Sequence, residues 1–421
     1  MYSRILWLVP AGLLLAQPAP DAPGLARKAL DLFLGGKYAE LNQMMSPSAK
    51  EGMSEAQLGK LGTQVKGWGN VEKLGAPASQ DLGPTQIVTI PAEFTKQNIN
   101  FRIAINASGQ VNAFLMTPGE PRWQAPAYVK ADSFTSREVT VGNDEWKLPG
   151  TLTVPKGGGP FPALVLVPDS GPSDRDASVY GNKIFRDLAE GLASRGVVVV
   201  RYEKRTRQYA SRMTSYTIDE ETADDAGRAL ALLRTQPEVD KSKIYVLGYG
   251  VAGYIAPRIA KNDGKLAGLI LMGANATPLE DLFVEEAENL GAKPQQLTVL
   301  REQAAKVKKL EQSDSDAPNM LGEPAIFWLD LKGYDAAAEV KKLSVPVLAL
   351  GGGRDFQAPP KQLDLWKAAL EGKSGSQAKS YENLNHLFIA GEGKSTDSEY
   401  RKPNQHVAAE VVSDIAAFLG K

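Results

Sequence analysis

The sequence predicts an α/β protein: a doubly wound, mostly parallel sheet preceded by a small α+β unit. Three observations carry this. From residue 151 onward, short continuous apolar runs alternate with helical patterns, as buried parallel strands and their crossover helices do. Before residue 118, helical spacing comes first and strand-like alternation follows, the order of a separate α+β unit. Between the two, residues 118–126 are proline-rich, with Pro121 and Pro126 bracketing Trp123, and read as a linker. At 421 residues the chain is long enough for two or three domains.

Taken in order, residues 1–16 read as a signal peptide. Arg4 supplies the positive region, residues 5–15 the apolar region, and Ala16 a small residue for cleavage. The apolar run is short for a bilayer span, so the expected location is secreted or periplasmic, with no stable membrane insertion after cleavage; an uncleaved N-terminal anchor is the alternative. The chain has no cysteine, which removes lipid anchoring, disulfides and any cysteine metal site. Leu25, Ala29, Leu32 and Phe33 then recur at helical spacing before a Gly35-Gly36 stop. Further helical patches at 41–45 and 55–65 precede strands at 71–74, 87–94, 99–105 and 111–116. This unit, 24–118, contains no histidine, and nothing in it argues for chemistry.

After a linker over 119–137, residues 138–421 form the second domain. Strands are expected at 151–154, 163–167, 197–201, 244–247, 269–272, 345–350 and 378–381, and helices at 183–194, 219–233, 254–261, 361–370 and 406–419. Residues 279–334 interrupt the alternation with helices and a polar break, the pattern of a lid. Phe327 and Trp328 within it are expected to face an apolar pocket.

The stretch 243–254 reads as strand, tight glycine turn and helix start. That is the setting of G-x-S-x-G, in which a serine nucleophile rides the turn. Here the string is Gly248-Tyr249-Gly250-Val251-Ala252, so Gly250 stands where the serine belongs. Downstream, Asp355 and His386 follow in the chain order of a Ser…Asp…His triad.

The strings Ser170-Gly171-Pro172-Ser173-Asp174-Arg175-Asp176, Arg201-Tyr202-Glu203-Lys204-Arg205, Gln236-Pro237-Glu238-Val239-Asp240 and Asn385-His386-Leu387-Phe388 resemble those of the α/β-hydrolase family, especially secreted carboxylesterases and serine-aminopeptidase-like members. The N-terminal unit is similar to a domain of unknown function, a cone-like helix-and-sheet unit, found ahead of such hydrolases. The resemblance implies that His386 is the base, Asp355 its orienter, and the Val251 N–H one oxyanion donor. Relatives carry His-Gly ahead of Ser-Gly-Pro; this chain carries Pro168-Asp169, placing a carboxylate beside a developing oxyanion. Departures at Pro168, Asp169, Gly250 and Ala252 together point to a site released from acyl transfer, a pseudoenzyme.

Alternatives stay open at this level. Ser170 and Tyr249 flank the empty position and are candidate displaced nucleophiles or substrate contacts, and His386 is alternatively a structural histidine. Arg175 reads as an ion-pair hub and His406 as a cap or decoration of the last helix. Asp169, Asp355 and His386 are a poor metal set with one imidazole, so no metal or cofactor is expected. The net charge of −1 gives no case for nucleic acid. The expected partner is a small-molecule ester or peptide-like ligand, either bound without turnover or weakly hydrolysed by a water that His386 activates.

Overall fold

The computed structural model describes residues 21–119, 122–143 and 145–421. The expected signal segment, residues 1–16, and Pro121 of the linker lie outside them. The chain divides into two compact units between Arg122 and Trp123.

In the first unit, α1 (Ala22–Leu34) is capped by the Asp21 carboxylate, which accepts from the Gly24 N–H. Ala22, Ala26, Ala29, Leu30 and Phe33 make its buried stripe. Helices α2 (Tyr38–Met44), α3 (Pro47–Gly52) and α4 (Glu55–Lys66) follow. Strands β1 (Val71–Leu74), β2 (Ala78–Leu82), β3 (Thr85–Phe94), β4 (Asn98–Asn106) and β5 (Val111–Pro118) form an antiparallel sheet in which β1 and β2 both pair β3. Phe33 of α1 packs against Phe101 and Phe114 of the sheet, with ring centroids 6.0 and 4.9 Å away. β2 is mostly exposed and was not expected from the sequence, having no apolar alternation to announce it.

The second unit opens with a segment pinned to its own helices. Trp123 Nε1 donates to Asp187, its ring lies 3.9 Å from the Arg186 guanidinium, and the Tyr128 hydroxyl donates to the Val407 carbonyl. The expected linker over 119–137 is therefore no free tether from Trp123 onward. Strand β6 (Phe134–Val141), also unexpected, starts inside it as a polar, largely exposed edge.

Then come β7 (Leu148–Pro155), β8 (Phe161–Val167), the short pair β9 (Ser178–Val179) and β10 (Asn182–Lys183), α5 (Ile184–Ala193), β11 (Val198–Tyr202), α6 (Arg205–Gln208), α7 (Asp224–Thr235), β12 (Val239–Tyr249), α8 (Val251–Asp263) and β13 (Gly268–Met272). The lid follows as α9 (Leu279–Asn289), α10 (Pro294–Lys309), α11 (Ala325–Leu331) and α12 (Ala336–Lys342). The chain ends through β14 (Val347–Gly352), α13 (Pro360–Leu370), β15 (Gln377–Tyr381), α14 (Asp397–Tyr400) and α15 (Ala409–Phe418).

The eight-stranded sheet runs β15-β14-β13-β12-β8-β11-β7-β6. Only the β11–β7 and β7–β6 pairs are antiparallel; the other five are parallel. Its centre is buried on both faces. Ala163, Val165 and Val167 of β8 join one core with α7 and α8, whereas Leu164 and Leu166 join the other with α5 and α15. Ligands in such sheets bind beyond the carboxyl ends of the strands. Asp169, Gly250, Asp355 and His386 all follow such ends. Among the described residues no helix is long and apolar enough to cross a membrane.

Candidate active site

Gly250 caps α8 with φ 57° and ψ −123°, a turn that L side chains rarely adopt. Its N–H donates to the Met272 carbonyl at 3.0 Å, which locks the turn onto β13. A Cβ at position 250 would stand 2.3 Å from Cγ of Asp169 and 2.4 Å from both its carboxylate oxygens. The space of a nucleophile's side chain is thus filled by a carboxylate from the neighbouring strand end.

Oδ1 of Asp169 accepts from the Val251 N–H at 2.7 Å and from the Ser170 N–H at 2.8 Å. Val251 is the first residue of a thirteen-residue helix, where backbone N–H groups and the helix dipole favour an anion. The expected oxyanion donor is therefore already engaged by Asp169 itself.

Asp355 and His386 meet as the sequence order suggested. His386 Nδ1 lies 2.8 Å from Oδ2 of Asp355, whose Oδ1 accepts from the Gln357 and Ala358 N–H groups, each at 2.8 Å. With both oxygens engaged, Asp355 fixes the imidazole plane. Asn385 holds the histidine loop by accepting from the N–H groups of Leu387 and Ile389. On its other side, His386 Nε2 faces Oδ2 of Asp169 at 3.9 Å, an ion-pair distance, and makes no hydrogen bond among the described residues.

Burial alone would push the His386 pKa down. The charge of Asp355 and the nearby Asp169 outweigh it and push the pKa up to about 10. For Asp169, desolvation would raise the carboxyl pKa, but His386 and the two N–H donors hold it below its ordinary value. At neutral pH an imidazolium therefore faces the Asp169 carboxylate. A triad base must start neutral to take a serine's proton, and this one does not.

The loop bearing Asp169 is set from behind by groups the sequence reading did not single out. Buried Lys204 donates to the Asp169 carbonyl and pairs with buried Glu221, which accepts from the Gly171 N–H at 3.1 Å. Thr206 donates to the Gly171 carbonyl at 3.0 Å. Glu221 lies in a π-helical turn, Asp219–Ala223, which swings its carboxylate to that loop. Lys204 does stand in one of the recognisable strings; Glu221 has no such signal.

A cleft of about 630 Å³ opens over this centre, walled in part by Asp169, Ser170, Tyr249, Phe356, His386 and Tyr400. A recess of about 70 Å³ beneath it is lined by Gly250, Val251, Leu282, Phe283, Glu286 and His386, among others. The lid contributes through α9, not through the residues the sequence suggested. Phe327 and Trp328 are buried in the core that the lid shares with one face of the sheet, their ring centroids 5.1 Å apart, and Trp328 Nε1 donates to the Met320 carbonyl. Trp328 backs Phe283, centroid to centroid 5.9 Å, so it acts one layer behind the cleft. Glu286, which hydropathy could not separate from Glu285 and Glu288, faces Asp169 and His386, and burial raises its pKa.

The other candidates are placed as follows. The Tyr249 hydroxyl donates to the His386 carbonyl at 3.2 Å, and its ring lies against the imidazole at 5.0 Å. Its phenol is held protonated by burial, so it is no nucleophile. Ser170 lies on the cleft wall without a hydrogen bond to Nε2 of His386. Arg175 bonds Glu138 at 2.7 Å and Glu203 at 2.9 Å. His406 does not cap the last helix: Nδ1 pairs with Asp187 of α5 at 3.1 Å.

Residues 26–114 match the family described as protein of unknown function (DUF3887). Over 338 residues the chain is 35% identical to Esterase EstD of Thermotoga maritima, covering 80% of this chain and 80% of that protein. Among solved structures it is similar to Est1E from Butyrivibrio proteoclasticus (TM-score 0.45, 14% identity, 68% of this chain and 99% of that one). It is also similar to a hyperthermophilic esterase from the archaeon Pyrobaculum calidifontis (TM-score 0.44, 16% identity, 68% and 85%). With a sheet ending in this elbow and a likeness to EstD over four fifths of each chain, the chain belongs to the α/β-hydrolase esterase family.

Proposed function

We propose that this member of the esterase family is exported, has lost serine-dependent acyl transfer, and uses its cleft to bind a small molecule or peptide-like ligand. The observation that carries the reading is the Asp169 carboxylate, which fills the side-chain space of position 250 and takes the Val251 N–H. Acyl transfer needs an attacking oxygen, a neutral base and a free oxyanion donor. Gly250 supplies no oxygen, His386 is held as imidazolium, and Val251 is engaged. The cleft itself stays open, with apolar and hydrogen-bonding walls of the kind small-molecule sites have. For export, the support is the Arg4 and apolar 5–15 pattern.

The test uses the purified chain with a fluorophosphonate probe, short p-nitrophenyl esters and aminoacyl amides. At neutral pH we expect no stoichiometric labelling and no hydrolysis above that of His386→Ala, while ligands from the screen raise the melting midpoint. Water activation by His386 would emerge only as the pH approaches about 10, where the imidazolium loses its proton. Labelling mapped to Ser170, or neutral-pH hydrolysis lost on His386→Ala, would overturn the reading.

A further inference from the structure

Three hydrogen-bond acceptors from three segments line the recess of about 70 Å³ beneath the cleft. The first is Asp169, after β8. Its Oδ1 is taken by the Val251 and Ser170 N–H groups, while Oδ2 accepts no hydrogen bond among the described residues. The second is Asn275, on the loop after β13 and 1% exposed. Its Nδ2 donates to the Thr277 carbonyl at 2.7 Å, and its Oδ1 is left without a donor among the described residues. A buried amide oxygen is costly unless paired, so one in the wall of a hollow points to a donor from outside the chain. The third is Glu286, carried in by α9 of the lid. Asp169, Asp355, His386 and Tyr400 are the titratable groups around it. Among the described residues no lysine or arginine lines the recess or the cleft above it. The cation in the wall is His386, buried and bonded on its far side by Asp355 at 2.8 Å.

We propose that this recess binds a primary ammonium group, which donates to Oδ2 of Asp169, Oδ1 of Asn275 and the carboxylate of Glu286, while the ligand's apolar body lies in the cleft. The site rests on the reading of the cleft as a small-molecule site and names the class of ligand. A primary ammonium carries three N–H donors and no acceptor, as a lysine head group does. A hydroxyl has one O–H donor and would leave two of the three acceptors unpaired. A quaternary ammonium has no N–H at all. No group of three His, Cys, Asp or Glu side chains among the described residues is placed to hold a metal ion, so a bare divalent cation fits less well. The recess and the cleft share Asp169, Glu286, Gln357 and His386 as walls, so head group and body occupy one continuous space. Leu290, Phe356 and Tyr400 wall the cleft for an alkyl or aryl body.

With the ligand in place, the carboxyl groups of Asp169, Asp355 and Glu286 stand against two cations, the imidazolium and the ammonium. Burial raises the carboxyl pKa of Glu286, and an ammonium beside it draws that proton off. Affinity therefore climbs as the pH rises through the titration of Glu286. Two kinds of ligand carry such a head group: an arylalkyl amine, and the amino end of a peptide or amino-acid amide.

The full chain is titrated by calorimetry, over a pH series from acid to neutral, with 2-phenylethylamine, phenylalaninamide, 2-phenylethanol and 3-phenylpropionate. Hydrogen bonds to charged groups are stronger than neutral ones, so at least one amine should bind roughly tenfold or more tighter than the alcohol. The tighter of the two amines identifies the source, free amine or amino end. Glu286→Gln should lower the amine's affinity roughly tenfold and abolish its rise with pH. The alcohol's affinity should stay unchanged, which a merely structural role for Glu286 would not allow. If that variant does not fold, the amine-over-alcohol ratio and the pH profile of the unaltered chain decide. An amine no tighter than the alcohol, an amine affinity indifferent to Glu286→Gln, or displacement of the amine by calcium overturns the ammonium site. If the alcohol or the propionate binds and the amines do not, the ammonium site fails while the binding reading stands. If none of the four binds, the ammonium site also fails, and the binding reading is judged by its own ester and amide screen.

Discussion

Gly250→Ser should destabilise the second unit by about 2–5 kcal/mol. A non-glycine residue in such a strained conformation costs about 1–3 kcal/mol, and forcing atoms into filled space adds roughly 1–2 kcal/mol. The strained turn is at φ 57°, and the filled space is Cγ of Asp169, 2.3 Å from the new Cβ. Serine would also drive the carboxylate off the Val251 N–H and away from His386. In a domain of this size the melting midpoint should fall by roughly 4–10 °C, read by calorimetry. An unchanged midpoint would mean that Asp169 yields freely and that the elbow is not closed by it.

Combining Gly250→Ser with Asp169→Gly should return esterase activity that neither change gives alone. The pair restores an attacking oxygen, frees the Val251 N–H, and leaves His386 with Asp355 as its carboxylate neighbour at hydrogen-bond distance. With the second carboxylate gone, the imidazole pKa falls toward its ordinary range, and the base is available near neutral pH. One oxyanion donor is worth about 10²–10³ in turnover, so the double variant should exceed either single one by at least roughly 10² on p-nitrophenyl acetate. Comparable turnover from Gly250→Ser alone would contradict the idea that Asp169 blocks the site.

What the sequence made legible was local. The apolar runs of β8, β11, β12, β13 and β14 announced themselves because burial on both faces demands unbroken hydrophobicity. The glycine-rich turn before α8 did so because the turn demands residues without a Cβ. β6 was hidden for the opposite reason: an exposed edge strand tolerates Thr-Ser-Arg-Glu. Asp169 was legible as a misplaced charge, but not where that charge goes. Its direction depends on Lys204, thirty-five residues on, and Glu221, a further seventeen, and no local pattern encodes that support. The lid misled because hydrophobicity marks both a lid's packed side and its cleft face. Phe327 and Trp328 took the first, and the less conspicuous Phe283 the second.

Asp169 and position 250 compete for one volume, and a double-mutant cycle in unfolding free energy measures that competition directly. Gly250→Ser, Asp169→Gly and their combination would be compared by denaturant titration. If the carboxylate fills the elbow, serine should cost much less in the Asp169→Gly background than in the unaltered chain, a coupling of about 1–3 kcal/mol. Additive costs would place Asp169 elsewhere and contradict the account.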